Sequence, residues 1–118
     1  MGFFDKWLDM AQGGEANHGT IGVDLPEVEG RARYRMTFHG QVQGVGFRYT
    51  MRLEAQGLGI TGWVHNHYDG SVVAAVQAEN RAIRMLVYRM QEGRFIRISS
   101  IDVEQIPVDV RETTFSVK

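Results

Sequence analysis

The sequence contains no cysteine, which excludes disulfide bonds, thiol nucleophiles and thiolate metal sites. It also has no apolar run near the roughly 18 residues that a membrane-spanning helix needs, so we expect no membrane insertion. The N-terminus lacks the basic start and long apolar stretch of a signal peptide, which favours a cytoplasmic location. A chain of 118 residues fits one domain that buries roughly two-thirds of its unfolded surface.

Charge is distributed unevenly along the chain. Residues 1–30 hold one basic and six acidic side chains, a net charge of −5, whereas residues 31–118 hold twelve basic and eight acidic ones, a net charge of +4. Apolar residues recur at helical spacing from Phe3 to Ala11 and are followed by a glycine-containing polar stretch. We therefore predict an N-terminal extension over residues 1–30, with a short amphipathic helix and a flexible linker. Residues 31–118 form a mildly cationic domain suited to small anions.

The domain alternates between strand patterns and helix patterns. Apolar residues at every second position predict strands near residues 32–39, 60–65, 71–77, 96–103 and 113–117. Apolar residues three and four apart predict helices near residues 47–58 and 80–91. The order βαββαβ with a terminal strand predicts an α+β, ferredoxin-like fold, in which two helices cover one face of an antiparallel sheet.

The segment between the first strand and the first helix is rich in glycine. Residues 40–48 read GQVQGVGFR, and the three glycines permit backbone conformations in which consecutive N–H groups face one anion. The helix start adds unpaired N–H donors and the positive end of the helix dipole. Dinucleotide and Walker fingerprints do not fit, because Tyr49 replaces the third glycine and the Walker lysine is missing. The segment is either a phosphate-binding loop or an ordinary glycine-rich turn.

Arg48 and Asn66 favour the phosphate-binding interpretation. Arg48 opens the predicted helix, where acidic side chains are usual, and a bound anion would turn this repulsion into attraction. Asn66 ends the second predicted strand, and the topology brings it to the end of the sheet that carries the loop. Its amide can hold a water beside a bound phosphorus atom, although asparagine is also common in turns such as the one predicted at Asp69 and Gly70.

Two stretches resemble the signatures of the acylphosphatase family. They are Gly40-x-Val42-Gln43-Gly44-Val45-x-Phe47-Arg48 and, further on, Gly62-Trp63-Val64-x-Asn66 followed by Asp69-Gly70. The resemblance covers about residues 33–117 and implies an enzyme that hydrolyses the carboxyl–phosphate bond of a small acyl phosphate. It implies that phosphate is bound by the Arg48 side chain and by a loop made of Gln43, Gly44, Val45, Gly46, Phe47 and Arg48. It also implies that Asn66 orients the attacking water and that the substrate's own oxygen accepts the proton.

No cofactor and no metal are expected for this reaction. The leaving group is a carboxylate, which departs without protonation, and phosphoryl transfer depends mainly on positioning and charge stabilisation. A metal site built from His39, His65 and His67 is the alternative for the histidines, but the sequence offers no carboxylate at ligand spacing.

Two other functions remain open at this level. The outer face of the sheet would carry Arg33, Arg35 and Trp63, a combination that could bind single-stranded RNA, although the aromatic signature of RNA-recognition domains is missing. The same pocket could also process carbamoyl phosphate as one domain of a larger maturation enzyme. We expect a free-standing monomer with a small-molecule substrate and no nucleic-acid partner.

Overall fold

The structure is a computed structural model that describes residues 21–118. The helix predicted from Phe3 to Ala11 lies outside the described residues. Within residues 21–118 the elements are β1 (Arg31–Gln41), α1 (Phe47–Leu58), β2 (Thr61–Asn66), β3 (Val72–Glu79), α2 (Asn80–Met90), β4 (Arg97–Ile106) and β5 (Phe115–Val117). This order confirms the predicted βαββαβ arrangement with a short closing strand.

The strand β1 supplies the centre of the core. Tyr34, Met36 and Phe38 are fully buried, while Arg35 between them is exposed, which confirms the alternation expected of a half-buried strand. The helix α1 buries Phe47, and the Phe47 ring packs on Phe38 with ring centroids 5.1 Å apart. The end of β1 and the start of α1 are therefore fixed by one core, and the loop between them has anchored ends.

The five strands form one sheet in the order β4-β1-β3-β2-β5. The pairs around β1 and β3 are antiparallel, whereas β5 lies parallel to β2, so the sheet is mixed rather than wholly antiparallel. Both helices pack their apolar residues into the same core as the inward side chains of the strands, which gives the expected two-layer ferredoxin-like fold. No helix within residues 21–118 has the length and apolar character needed to cross a membrane.

The pairing of β1 with β4 shifts by one residue between His39 and Gly40. Ser99 is the extra residue, so Ile98 and Ile101 both reach the core although they are three positions apart. A bulge of this kind bends the strand locally, and here it lies just before the glycine-rich loop.

The connection from β4 to β5 contacts the face of the sheet opposite the helices. The main chain of Asp109 exchanges two hydrogen bonds with the buried Gln77 side chain, with N–H to Oε1 at 2.7 Å and Nε2 to O at 2.9 Å. Glu112 accepts hydrogen bonds from Arg33 at 2.9 Å and from Thr61 at 3.0 Å. These contacts lie at the end of the sheet remote from Asn66.

Residues 21–28, which belong to the predicted extension, contact the domain along α2. The N–H and O of Ile21 bond the Gln91 side chain at 2.6 and 2.7 Å, and the O of Pro26 accepts a hydrogen bond from Asn80 at 2.7 Å. Apolar side chains of this segment also pack on the core; they are Ile21, Val23, Leu25 and Val28. The division of the chain at residue 30 remains a prediction.

Candidate phosphate-binding site

The glycine-rich loop lies between the end of β1 and the start of α1. Gly44 and Gly46 have φ angles of 74° and 81°, in the left-handed region that glycine enters without steric cost. Gly46 is also the N-cap of α1 and, having no side chain, leaves the first turn without a side-chain cap. The sequence thus produces a sharply turned main chain at the start of a helix, where N–H groups lack helical acceptors.

The N–H groups of this loop are free to bind a ligand. Within residues 21–118, no acceptor takes a hydrogen bond from the main-chain N–H of Gly44, Val45, Gly46, Phe47 or Arg48. The first turn of α1 also contains no acidic side chain that would neutralise the helix dipole. A run of unpaired N–H groups at a helix start favours an anion with several acceptor oxygens.

Arg48 adds a full positive charge at the same helix start. Its Nη1 donates to the O of Lys118 at 3.1 Å, and no aspartate or glutamate in the described part of the chain forms an ion pair with it. The nearest acid along α1, Glu54, pairs with Arg89 at 3.2 Å instead. Arg48 is therefore held beside the end of β5, and no aspartate or glutamate of the described residues neutralises its charge.

Asn66 lies at the same end of the sheet as the loop. The N–H of Lys118 donates to the O of Val64 at 2.8 Å, which places the acceptor of Arg48 beside β2 two residues before Asn66. Asn66 is exposed, and its side-chain amide has no hydrogen-bond partner among residues 21–118. An amide with one acceptor and two donors left free can hold a water molecule.

The loop and the β2–β3 turn are joined by the side chain of Gln43. Its Nε2 donates to the O of His67 at 2.7 Å and to the O of Ser71 at 2.8 Å. Because His67 directly follows Asn66, this connection holds the loop against the turn that carries the asparagine.

Asp69 organises that turn. Its Oδ1 accepts hydrogen bonds from the Ser71 hydroxyl at 2.6 Å and from the Ser71 N–H at 2.9 Å, and His67 Nδ1 lies 3.0 Å away. The hydroxyl and N–H of Ser71, and then the His67 ring, lower the pKa of Asp69 from 3.8 to about 2. The carboxylate is thus ionised and occupied, which makes it a weak proton acceptor for any reaction nearby.

The three histidines considered as metal ligands have separate partners. His39 Nε2 lies 2.9 Å from Asp102, His65 stacks on Trp63 with centroids 5.2 Å apart, and the His67 ring packs on Tyr68. No group of three or more potential metal ligands occurs in the region from residue 21 onward.

Sequence reasoning missed the contacts that hold the site together. The resemblance places Gln43 in the loop for its main-chain amide, whereas its side chain makes the link to the turn. Lys118 has no signal in the sequence, because its contact with Arg48 depends on the pairing of β5 with β2. For Gln43 a signal is present, since a long amide side chain in a glycine-rich loop is suited to bridging main-chain oxygens.

Comparison with known proteins identifies the family. A family model described as Acylphosphatase matches residues 34–117. An acylphosphatase of Oceanobacillus iheyensis is 36% identical over 86 residues, covering 71% of this chain and 94% of the relative. The crystal structure of acylphosphatase from Bacillus subtilis superposes with a TM-score of 0.68 at 32% identity, covering 74% of this chain and 98% of that one.

A larger protein shares the fold. The crystal structure of T. kodakarensis HypF superposes with a TM-score of 0.65 at 25% identity, covering 74% of this chain but 12% of that chain. The family match spans the loop, Arg48 and Asn66 together with β1 from Tyr34 onward and the strands β2 to β5. This chain therefore belongs to the acylphosphatase family.

Proposed function

We propose that this chain hydrolyses acyl phosphates to a carboxylate and inorganic phosphate at the loop between β1 and α1. One observation carries the proposal: the unpaired N–H groups of residues 44–48 and the Arg48 guanidinium, which pairs with no aspartate or glutamate of the described residues, lie at the end of the sheet that carries Asn66. Family membership supports the reaction, because relatives named acylphosphatase are covered over nearly their whole length.

The loop and Arg48 bind the phosphoryl group. Its equatorial oxygens accept hydrogen bonds from the main-chain N–H groups of Gln43, Gly44, Val45, Gly46, Phe47 and Arg48, and the Arg48 guanidinium adds charge-assisted bonds. Phosphoryl transfer proceeds through a transition state whose charge is spread over these oxygens. Donors fixed by the fold stabilise that charge without reorganisation, which supports catalysis by positioning and electrostatics.

Asn66 positions the attacking water. Its free amide holds the water in line with the bond to the departing carboxylate, and the water's proton passes to an oxygen of the substrate itself. The leaving group departs as a carboxylate, so no general acid is needed. The state of Asp69 supports this scheme, because a carboxylate with a pKa of about 2 that already accepts two bonds from Ser71 is poorly suited to act as a base.

The contacts of the outer sheet face favour a small substrate over a nucleic acid. Arg33 pairs with Glu112 at 2.9 Å and Arg35 pairs with Glu104 at 2.9 Å. These carboxylates offset the positive charge that would attract a phosphate backbone. The 36% identity to the Oceanobacillus acylphosphatase likewise favours hydrolysis of acyl phosphates over the processing of carbamoyl phosphate in a maturation enzyme.

We also propose a cytoplasmic, monomeric enzyme that needs no cofactor. Every group assigned to the reaction comes from one chain, which supports activity without assembly.

The test is release of phosphate from acetyl, benzoyl and carbamoyl phosphate by the wild type, Arg48→Gln and Asn66→Ala. Arg48→Gln should lower kcat by about 10²-fold or more and also weaken inhibition by inorganic phosphate. The reason is that the transition state and bound phosphate both lose their contact with the guanidinium charge. Asn66→Ala should lower kcat similarly and leave phosphate inhibition unchanged. Arg52→Gln, one turn further along α1, is the matched control and should keep wild-type kinetics. Equal activity of all four proteins would refute the proposal.

A further inference from the structure

The side chain of Gln43 is fully committed as a donor. Its Nε2 has two hydrogens, and these point to two main-chain oxygens, of His67 at 2.7 Å and of Ser71 at 2.8 Å. The side-chain donors therefore face the β2–β3 turn and are not available to a substrate in the loop.

The two acceptors are the atoms that close the turn after Asn66. The O of His67 also accepts the N–H of Gly70 at 3.1 Å, and the O of Ser71 also accepts the N–H of His67 at 2.9 Å. Asp69 fixes the same turn through its two bonds to Ser71. Gln43 is thus bonded to a turn whose conformation is already fixed by its own hydrogen bonds.

No other hydrogen bond among residues 21–118 connects the loop to this turn. The ladder between β1 and β3 ends at Phe38 and Val72, so the main chain of residues 42–46 has passed beyond the sheet. The N–H groups proposed to bind phosphate lie in the loop, on one side of the space between loop and turn, and Asn66 lies on the other side. The Gln43 amide is the polar contact that sets the distance between them.

From this geometry we infer that Gln43 is a positioning residue for the hydrolysis, which sets the separation between the phosphate-binding loop and the water held by Asn66. The inference rests on the proposed function. The inference goes beyond that function by giving the Gln43 side chain a role that acts through Asn66 rather than on the substrate. A displacement of about 1 Å between reacting groups can lower a rate by about 100-fold.

The test is a double-mutant cycle between Gln43→Met and Asn66→Ala. Methionine keeps the length and volume of glutamine but cannot donate. In the wild-type background Gln43→Met should lower kcat for acetyl phosphate by about 10- to 100-fold, with the inhibition constant of inorganic phosphate changed by less than about threefold. In the Asn66→Ala background the same substitution should lower kcat by less than about threefold, because no positioned water remains to be displaced.

A purely structural role predicts a different pattern. Equal losses of kcat in both backgrounds, or a parallel loss of phosphate binding, would overturn the inference. Gln56→Met, at an exposed glutamine of α1, is the matched control and should keep wild-type kinetics. If Gln43→Met does not fold, Gln43→Leu, which is also uncharged and cannot donate, should give the same pattern.

The two proposals fail in distinguishable ways. Wild-type kcat in Asn66→Ala would refute the water-positioning role in the proposed function. A large loss in Asn66→Ala together with wild-type kcat in Gln43→Met and Gln43→Leu would refute only the role of Gln43.

Discussion

The hydroxyl of Tyr34 donates a hydrogen bond to Oδ1 of Asn80 across 2.6 Å, and both residues are buried. Burial raises the pKa of Tyr34, so the hydroxyl keeps its proton and acts as the donor. The other end of the same amide donates to the O of Pro26 at 2.7 Å. One side chain at the start of α2 therefore joins the central strand to the segment before β1.

Asn80→Leu should destabilise the protein by about 1–3 kcal/mol, because it leaves the Tyr34 hydroxyl and the Pro26 oxygen without partners. Urea unfolding followed by fluorescence measures the change. The double variant with Tyr34→Phe removes the unpaired hydroxyl and should recover part of the lost stability. Gln105→Leu, at an exposed position of β4, is the control, and wild-type stability of Asn80→Leu would contradict the assigned network.

Removing residues 21–30 should also lower stability while leaving the active site intact. A chain that begins at residue 31 should be less stable than one that begins at residue 21 by about 2 kcal/mol, since it loses four half-buried apolar side chains and their anchors at Asn80 and Gln91. Below the unfolding transition, the kcat values of the two chains should agree within about twofold. Equal urea midpoints would show that the folded domain begins after residue 30.

Local patterns in the sequence predicted the elements, but not the contacts between them. The alternation around Tyr34, Met36 and Phe38 fixes which face of β1 is buried, because a period of two leaves no other choice. In β4 the extra residue Ser99 interrupts the alternation of inward and outward side chains, and nothing in the local sequence of β4 reveals this interruption. Ile21, Val23 and Leu25 do alternate with Gly22 and Asp24, so the packing of this segment had a signal in the sequence.

The candidate site divides in the same way. Arg48 and Asn66 were predictable because a cation at a helix start and a free amide at a strand end each have a direct chemical reading. The contacts that hold these two residues in place were not predictable. Gln43 and Lys118 act through main-chain oxygens, which come close only when strands distant in sequence pair. Main-chain acceptors are the same in every residue, so sequence patterns carry no information about them.

Two glycines should respond to alanine in opposite directions. Gly62 has a φ of 146°, and a Cβ there would lie 1.8 Å from the O of Ala75 in the backbone of β3. Gly62→Ala should therefore cost at least about 3 kcal/mol or prevent folding. Gly57 lies inside α1, where an added methyl group would have no atom within 4 Å, so Gly57→Ala should stabilise by about 0.5–1 kcal/mol. Thermal and urea unfolding test both, and wild-type stability of Gly62→Ala would contradict the close approach of β2 and β3.

Asp69 should make the stability of the protein depend on pH in the acid range. Its pKa is about 2 when folded and 3.8 without the contacts of the turn, so the unfolded chain binds the proton more readily than the folded one. The stabilisation is therefore complete above about pH 4 and is lost as the pH falls toward 2. Asp69→Asn keeps an acceptor for Ser71 but cannot titrate, so its stability should fall less than that of the wild type over this interval.

The measurement for Asp69 is the urea midpoint of both proteins at pH 5, 4, 3 and 2.5. The two curves should converge as the pH falls, because protonation removes in the wild type the charge that the variant already lacks. Glu29→Gln, at an exposed carboxylate outside the turn, controls for the removal of one negative charge and should follow the wild type. Parallel curves for Asp69→Asn and the wild type would show that the bonds from Ser71 do not favour the ionised carboxylate. In that case the turn that holds Gln43 and Asn66 would owe its geometry to its main chain alone.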